Sequence, residues 1–222
     1  RDLHSFPTRH SSDLSLDKGL ALFHPESQTF DKVTDREDRY DANVYDICQT
    51  RDGRLWVATD IGGIKTIAPS GQLQFDQAWR ARLSSLNTRS IVEDEYGNVW
   101  VGNHSSGLDF ISNGKSEFSL LDDSQPVYAV AKDRAAGLWM ATEKELMTVE
   151  QGHIVGRWPY PDIMRREYFL PRCLMADRHG GVWIGLDDMG VIRFDRQKGG
   201  FTHIHMTPEG SDIHSFAEDS DG

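Results

Sequence analysis

Asp94-Glu-Tyr-Gly97-Asn-Val-Trp100-Val-Gly102 is the segment that best predicts the fold, because the chain repeats this pattern three more times. The Trp residues of successive copies are 44, 39 and 44 residues apart, and each is followed two positions later by Gly or Ala. The other copies are Thr50-Arg-Asp-Gly53-Arg-Leu-Trp56-Val-Ala58, Asp133-Arg-Ala-Ala136-Gly-Leu-Trp139-Met-Ala141 and Asp177-Arg-His-Gly180-Gly-Val-Trp183-Ile-Gly185. A repeat of this length is the sequence signature of solenoid and propeller architectures.

Each copy predicts a pair of β-hairpins. The Asp-x-x-Gly element predicts a tight turn, in which Asp accepts a backbone hydrogen bond and Gly takes a positive φ that a side chain resists. Short runs of β-branched and aromatic residues flank this turn, as in residues 43–48 and 54–58. A Gly-aliphatic pair about eight residues after the Trp begins a third strand, and a fourth follows another turn. Four short antiparallel strands per repeat predict a propeller blade.

The expected fold class is therefore all-β, a β-propeller of four-stranded antiparallel blades with about five blades' worth of chain. Partial repeats at Gly19-Leu20 and Asp219-Ser-Asp-Gly222 indicate that residues 15–222 form an incomplete propeller domain. We expect each Trp to fill the space between blades, and the small residue after it to let neighbouring sheets approach. In the third copy Ala136 replaces the turn Gly, so Gly137 is expected to take the turn. A β-sandwich or barrel is the alternative, but neither needs a repeat.

The N-terminal segment does not continue the repeat. The string HSFPTRHSSDL at residues 4–14 resembles a translated sequencing adapter. We therefore expect residues 1–14 to be a non-native artefact and exclude them from fold reasoning. A genuine polar N-terminal arm is the alternative.

Composition excludes several classes of partner. The chain carries 24 Lys and Arg against 35 Asp and Glu, a net charge of −11, and no run of cations, which argues against a nucleic-acid surface. No window approaches the roughly 18 consecutive apolar residues of a membrane helix, so no membrane contact is expected from this segment. Two Cys are too few for a disulfide scaffold or a zinc site, and no cofactor or metal is expected. Sugars, small molecules and proteins are left as partners.

On the pattern Asp-x-x-Gly-x-(Leu/Val)-Trp-(Val/Ile)-(Gly/Ala) followed by Gly-Leu, the chain resembles two-component regulator propeller repeats from about Leu16 to Gly222. Similar repeats form the sensor regions of bacterial hybrid two-component and diguanylate cyclase receptors, typically as seven-bladed propellers. The resemblance implies a periplasmic, ligand-sensing segment of a transmembrane signal-transduction receptor, non-catalytic in itself. It further implies a small-molecule or oligosaccharide ligand and a homodimer formed by the full-length receptor.

Ligands of propellers generally gather over one mouth of the central channel. Two sets of positions are expected to reach the mouth: the entry to the innermost strand of each blade, and the loop after the Trp strand. The first set is Tyr45, Arg89, Tyr128 and Arg172, and the second set is Asp60, His104, Glu143 and Asp187. Planar and charged side chains suit a sugar or small acid, because aromatic faces cover C–H faces while Arg and carboxylates bind hydroxyls. Ordinary solvated loop residues are the alternative.

The connection at residues 156–171 is a further candidate. It places Trp158 and Tyr160 among three Pro and three Arg, and apolar residues on a long loop are typical of a binding surface. A loop packed on the blade rim is the alternative. Two rival functions follow from these features. One is a lyase or hydrolase with its active site at the mouth, for which His104 and Glu143 are the best acid–base pair. The other is a protein-binding scaffold that uses this loop.

Overall fold

Eighteen short strands and no helix make up the part of the chain that the computed structural model describes. The described residues are 20–33, 43–68, 73–74, 83–112, 115–120, 125–133, 137–162, 164, 169–205 and 212–219. Residues 1–14, the expected artefact, lie outside them, so that expectation stays a prediction. No segment of the described residues forms a helix long and apolar enough to span a membrane.

Four four-stranded sheets follow one another along the chain, each a meander of antiparallel neighbours in sequence order. The first blade comprises β3 (Val44–Gln49), β4 (Leu55–Thr59), β5 (Ile64–Ile67) and β6 (Leu73–Gln74). The second comprises β7 (Thr88–Glu93), β8 (Val99–Asn103), β9 (Leu108–Ser112) and β10 (Lys115–Leu120). The third comprises β11 (Ala129–Lys132), β12 (Leu138–Ala141), β13 (Glu145–Glu150) and β14 (His153–Pro159). The fourth comprises β15 (Pro171–Ala176), β16 (Gly181–Leu186), β17 (Val191–Asp195) and β18 (Gly200–Ile204), and a separate hairpin, β1 (Leu20–His24) with β2 (Thr29–Val33), precedes the blades.

The first strand of each blade is the innermost strand. These strands contact one another in order, β3 with β7, β7 with β11, and β11 with β15. Side chains join them to backbone: Asp46 Oδ2 accepts the Ile91 N–H at 2.9 Å, and Ser90 Oγ accepts the Val130 N–H at 3.0 Å. Successive sheets arranged about their first strands form a β-propeller, which confirms the predicted fold class.

The repeated Trp residues lie between blades, as predicted. Three apolar cores separate the four blades in turn, and they contain Trp56, Trp100 and Trp139 at 6%, 4% and 1% exposure. Trp183 occupies the same position on the fourth blade and is partly exposed. Each blade therefore depends on its neighbour to bury its Trp, which is why the motif recurs once per blade.

The small residue two positions after the Trp marks a close approach between blades. A Cβ added to Gly102 would lie 3.0 Å from both Cγ1 and the carbonyl oxygen of Val127, which precedes the third blade. At Gly185 a Cβ would collide with Cys173 Sγ and lie 2.7 Å from Ile213 Cγ2. Neither glycine has a positive φ, so packing rather than backbone conformation favours a residue this small. The predicted role of these positions is confirmed.

Hydrogen bonds explain why Asp and Trp occur together in the motif. The carboxylate of Asp94 accepts from the N–H groups of Tyr96 and Asn98 and from Trp100 Nε1 at 2.9 Å. Asp177 bonds Trp183 Nε1 in the same way, at 2.7 Å. One carboxylate thus closes the turn and orients the aromatic ring that fills the core.

The glycines of these turns have the positive φ expected of them, between 80° and 84° in three copies. In the third copy Gly137 takes the turn with φ 106°, as predicted from the substitution at Ala136.

Residues 212–219 repeat the contacts by which one blade meets the next. Arg51 in the first blade donates its N–H to Glu93 of β7 at 3.1 Å and its guanidinium to Asp94 O. Arg178 in the fourth blade donates its N–H to Glu218 at 3.0 Å and its guanidinium to the carbonyl of Asp219. Residues 212–219 therefore contact the fourth blade in the way that the second blade contacts the first, and the partial repeat expected at residues 219–222 lies mostly outside the described residues and stays a prediction.

Candidate ligand-binding mouth

The two predicted sets of mouth residues lie at the same end of every blade. Within each blade the entry residue and the loop residue are 15 positions apart, and the two segments are joined by backbone hydrogen bonds. His104 N–H donates to Asn87 O at 2.9 Å and Asp187 N–H donates to Leu170 O at 3.0 Å. The Asp-x-x-Gly turns lie at the other end of the strands. The structure thus places the eight residues that the sequence selected for the mouth at one end of the blades, whereas ligand binding by them stays a prediction.

Three of the four entry residues sit at β-bulges. The pairing of β3 with β4 skips Tyr45, that of β7 with β8 skips Arg89, and that of β15 with β16 skips Arg172. A bulge bends its strand, leaves one residue unpaired and re-aims its side chain, and bulges are enriched next to active sites. Tyr128, the fourth entry residue, stands immediately before β11. Equivalent irregularities in three blades indicate that the entry to the inner strand is built to present a side chain.

Rim residues of three successive blades contact one another. The guanidinium of Arg89 lies over the Tyr45 ring with its Cζ 3.9 Å from the ring centroid, which is a close cation–π contact. His104 meets Tyr128 edge to face, with ring centroids 5.5 Å apart. Burial raises the pKa of Tyr128, and nearby Glu143 raises it further, so its phenol is a neutral donor. Planar surfaces and hydrogen-bonding groups therefore alternate along this part of the rim.

At the fourth blade the rim carries a satisfied ion pair. Arg172 donates Nε and Nη2 to the two oxygens of Asp187 at 2.6 and 2.7 Å, and its Nη2 lies 3.9 Å from Asp212 Oδ2. Bidentate pairing of this kind is the strong form of the Arg–carboxylate interaction. The hydrogen bonds that Arg172 donates to Asp187 raise the pKa of Arg172. Both charges are thus neutralised within the protein.

At the second blade the corresponding pair lacks an anion. The residue 15 positions after Arg89 is His104, where the fourth blade has a carboxylate. Arg89 Nε and His104 Nδ1 are both buried and have no hydrogen-bond partner among the described residues. Desolvation lowers the pKa of His104, and the positive charge of Arg89 lowers it further, against an opposing effect of Glu143. Buried polar atoms are normally paired, so both nitrogens are suited to a group supplied from outside the chain.

Asp60 and Glu143 complete the predicted set in different ways. The Asp60 carboxylate is occupied locally, because Asn43 donates its N–H at 2.9 Å and its Nδ2 at 2.7 Å. Glu143 is exposed to solvent. Of the two carboxylates, Glu143 is the one open to a ligand.

The structure places Trp158 and Tyr160 at the mouth end of the third blade, where the Tyr160 N–H donates to Lys144 O at 3.0 Å, but their side chains pack against the fourth blade. Trp158 belongs to the edge strand β14 and packs against Trp139 and Phe194, with centroids 5.3 and 5.1 Å away. Tyr160 is 1% exposed and stacks on Phe169 at 4.5 Å. These two side chains thus pack between the third and fourth blades, whereas residues 163 and 165–168 of the same connection lie outside the described residues, and ligand binding by this segment stays a prediction. The two side chains pack there because a strand at the blade edge can direct alternate side chains into the interface with its neighbour.

Two features of the site were missed from the sequence. The bulges leave no composition signal, since they are visible only in strand pairing. Asp212, which approaches Arg172 and accepts the Asp188 N–H at 2.9 Å, was not selected. Its place in the repeat matches Asn43 and Asn87, so a full alignment of the repeats would have pointed to it. No group of three or more His, Cys, Asp or Glu among the described residues is placed to hold a metal ion.

Comparison with known structures places the fold among β-propellers. The extracellular domain assigned to a hybrid two component system of B. thetaiotaomicron is 18% identical, with a TM-score of 0.72 over 92% of this chain and 29% of that one. A virginiamycin B lyase from Staphylococcus aureus solved with quinupristin is 13% identical, with a TM-score of 0.67 over 87% of this chain and 65% of that one. A gluconolactonase from Xanthomonas campestris is 15% identical, with a TM-score of 0.63 over 88% and 71%. The chain spans 55 to 65% of the length of the lyases that it matches.

Comparison of the sequence with known families gives one match, to two segments of the chain. No curated protein matches the chain. Residues 41–60 and 82–105 match the family model of the two component regulator propeller. These segments contain the inner strand of the first blade, the inner strand of the second blade and the Trp strands that follow them. The chain is thus a β-propeller in which two segments match the repeat of the two component regulator propeller.

Proposed function

We propose that this chain is the ligand-sensing propeller segment of a bacterial transmembrane receptor, located in the periplasm and non-catalytic in itself. The match of two segments to the repeat of the two component regulator propeller supports this function. So does the fold shared with the extracellular domain of a hybrid two component system. A ligand bound to the propeller would act by favouring one of two arrangements of the receptor, through its differential affinity for them. Homodimerisation of the full receptor belongs to the same proposal.

The observation that carries the proposal is the rim formed by Tyr45, Arg89, His104 and Tyr128. Bulges present two of these side chains, cation–π and ring contacts link all four in pairs, and two nitrogens among them have no partner in the described residues. Such a surface suits a carbohydrate or another small polar ligand, whose C–H faces stack on rings while its oxygens take the free donors.

Calorimetry on the whole chain with a panel of oligosaccharides tests this proposal. We expect at least one to bind, and the double change Tyr45→Ala/Tyr128→Ala to weaken it by about tenfold through loss of two ring contacts. Tyr96→Ala is the matched control, because Tyr96 is 72% exposed at the opposite end of the blades. Binding that is lost equally in the control, or no binding across the panel, would contradict the proposal.

Lyase or hydrolase activity at the mouth is the second candidate. His104 favours it, since a lowered pKa keeps the imidazole neutral and able to accept a proton, and enzymes are among the proteins of similar fold. The test is turnover of a streptogramin B or of gluconolactone, the classes of compound that the similar enzymes' names indicate. Turnover that disappears in His104→Ala would replace the non-catalytic proposal, and its absence at high protein concentration would support it.

A further inference from the structure

The blades of this propeller present the same pair of positions to the mouth four times, which allows one blade to be compared with another. The pairs, each 15 residues apart, are Tyr45 with Asp60, Arg89 with His104, Tyr128 with Glu143, and Arg172 with Asp187. Only two of these pairs contain Arg, and both Arg residues occupy a β-bulge. The two blades thus aim the same cation from the same backbone position.

The two Arg residues differ in the group that neutralises their positive charge. Arg172 has a carboxylate at its partner position and binds it through two hydrogen bonds of 2.6 and 2.7 Å. Arg89 has His104 there, and it forms no ion pair with any described carboxylate. Its guanidinium rests on the Tyr45 ring, and its Nε is buried without a hydrogen-bond partner in the described residues.

No described carboxylate offsets the positive charge of Arg89 near the His104 imidazole. Arg89 acts on His104 by opposing its protonation, and His104 Nδ1 is likewise buried with no described partner. Glu143 is near enough to influence His104 and Tyr128, yet it makes no hydrogen bond or ion pair with Arg89. The second blade therefore provides the Arg of the ion pair without a carboxylate, whereas the fourth blade provides both.

We infer that the ligand supplies the missing carboxylate, so that Arg89 binds an acidic group of the ligand in the place that Asp187 occupies beside Arg172. The inference rests on the proposed function and specifies its ligand class, a sugar acid such as a uronate-containing oligosaccharide. The carboxylate takes hydrogen bonds from the Arg89 guanidinium, and the sugar ring lies against the neighbouring Tyr128. The net charge of −11 does not prevent this, because charges more than about 8 Å away are largely screened at physiological salt.

An acidic oligosaccharide and its uncharged methyl ester test the inference. Trigalacturonate and its methyl ester are titrated into the whole chain by calorimetry, and we expect the acid to bind about 10- to 100-fold more tightly, as for hydrogen bonds to charged groups. Arg89→Gln is expected to remove that preference. Arg196→Gln is the matched control, because Arg196 pairs with Asp133 at the other end of the blades, and it should leave the preference intact.

A second variant keeps the test decisive if Arg89→Gln lowers stability. His104→Asp installs a carboxylate at the position equivalent to Asp187, so it should neutralise Arg89 from within and abolish the preference for the acid while the thermal midpoint is kept. The inference is wrong if the ester binds as tightly as the acid, or if both variants still prefer the acid. In either case the proposed function remains, with a neutral sugar as the ligand. If no oligosaccharide of the panel binds, and neither trigalacturonate nor its ester binds, both the inference and the proposed function are wrong.

Discussion

The close approach of blades at Gly102 gives a direct prediction about stability. In the Gly102→Val variant the new Cβ would lie 3.0 Å from Val127 Cγ1 and from the Val127 carbonyl oxygen, against 3.4 to 4 Å for an ordinary contact. The Val127 side chain can rotate, but its carbonyl belongs to the backbone that enters the next blade. The two blades must therefore separate or distort, and this prediction tests whether they are packed as the structure describes.

The size of the effect follows from this geometry. Overpacking a well-packed core costs about 1 to 3 kcal/mol, and because Val adds two methyl groups beyond Cβ we expect about 2 to 3 kcal/mol. A protein of this length loses about 2 to 4 °C of Tm per kcal/mol, so Tm should fall by about 4 to 12 °C. Thermal unfolding followed by circular dichroism measures this directly.

Gly200→Val is the matched control for this substitution. Gly200 begins β18, is exposed, has no positive φ, and a Cβ there would meet no atom within 4 Å. Its replacement should change the free energy of unfolding by less than about 0.5 kcal/mol, as for other surface sites. Equal Tm values for the two variants would refute the packing argument, and with it the assignment of Gly102 to a blade interface.

Three further predictions concern the core and the mouth. Tyr160→Phe should raise the free energy of unfolding by about 1 kcal/mol in a urea titration, because the buried hydroxyl has no partner in the described residues; a loss of stability would show that it is bonded. Trp139→Ala should cost about 3 to 5 kcal/mol and the partly exposed Trp183→Ala clearly less, so equal losses would contradict the order of the blades. The pKa of His104 lies below its ordinary 6.5, so the unfolded chain binds a proton first and the free energy of unfolding should decline as the pH falls below about 6.5. His104→Gln should flatten that decline, and an unchanged profile would contradict it.

The repeat unit could be predicted from sequence because its physics is local. Asp94, Gly97 and Trp100 lie within one turn and the strand after it. The Asp94 carboxylate accepts hydrogen bonds, Gly97 adopts a positive φ, and the Trp100 ring fills the core. The same reasoning recognised Gly137 as the substitute turn residue, since the positive φ needs a Gly and one stood next to Ala136. The spacing of the repeated Trp residues then predicted the blades.

The site was predictable in position but not in detail. Strand ends at one edge must share a mouth, which sufficed to select Arg89 and Arg172. Whether each Arg is satisfied depends on bulges and on which side chain faces it, and these emerge only from strand pairing. The strand at Trp158 was not predicted, because the three Pro of this segment indicated a loop, whereas β14 extends through Pro159, the last residue of an edge strand, where the missing N–H is tolerated.

A crystal structure of the chain with a bound oligosaccharide, selected from the calorimetric panel, would locate the ligand on the propeller. We expect the ligand at the mouth, with an oxygen within hydrogen-bond distance of the Arg89 guanidinium and a sugar ring against Tyr128. The contradicting result is a ligand bound elsewhere, for example in the groove between the second and third blades lined by Tyr96 and His153, with no ligand density at the mouth.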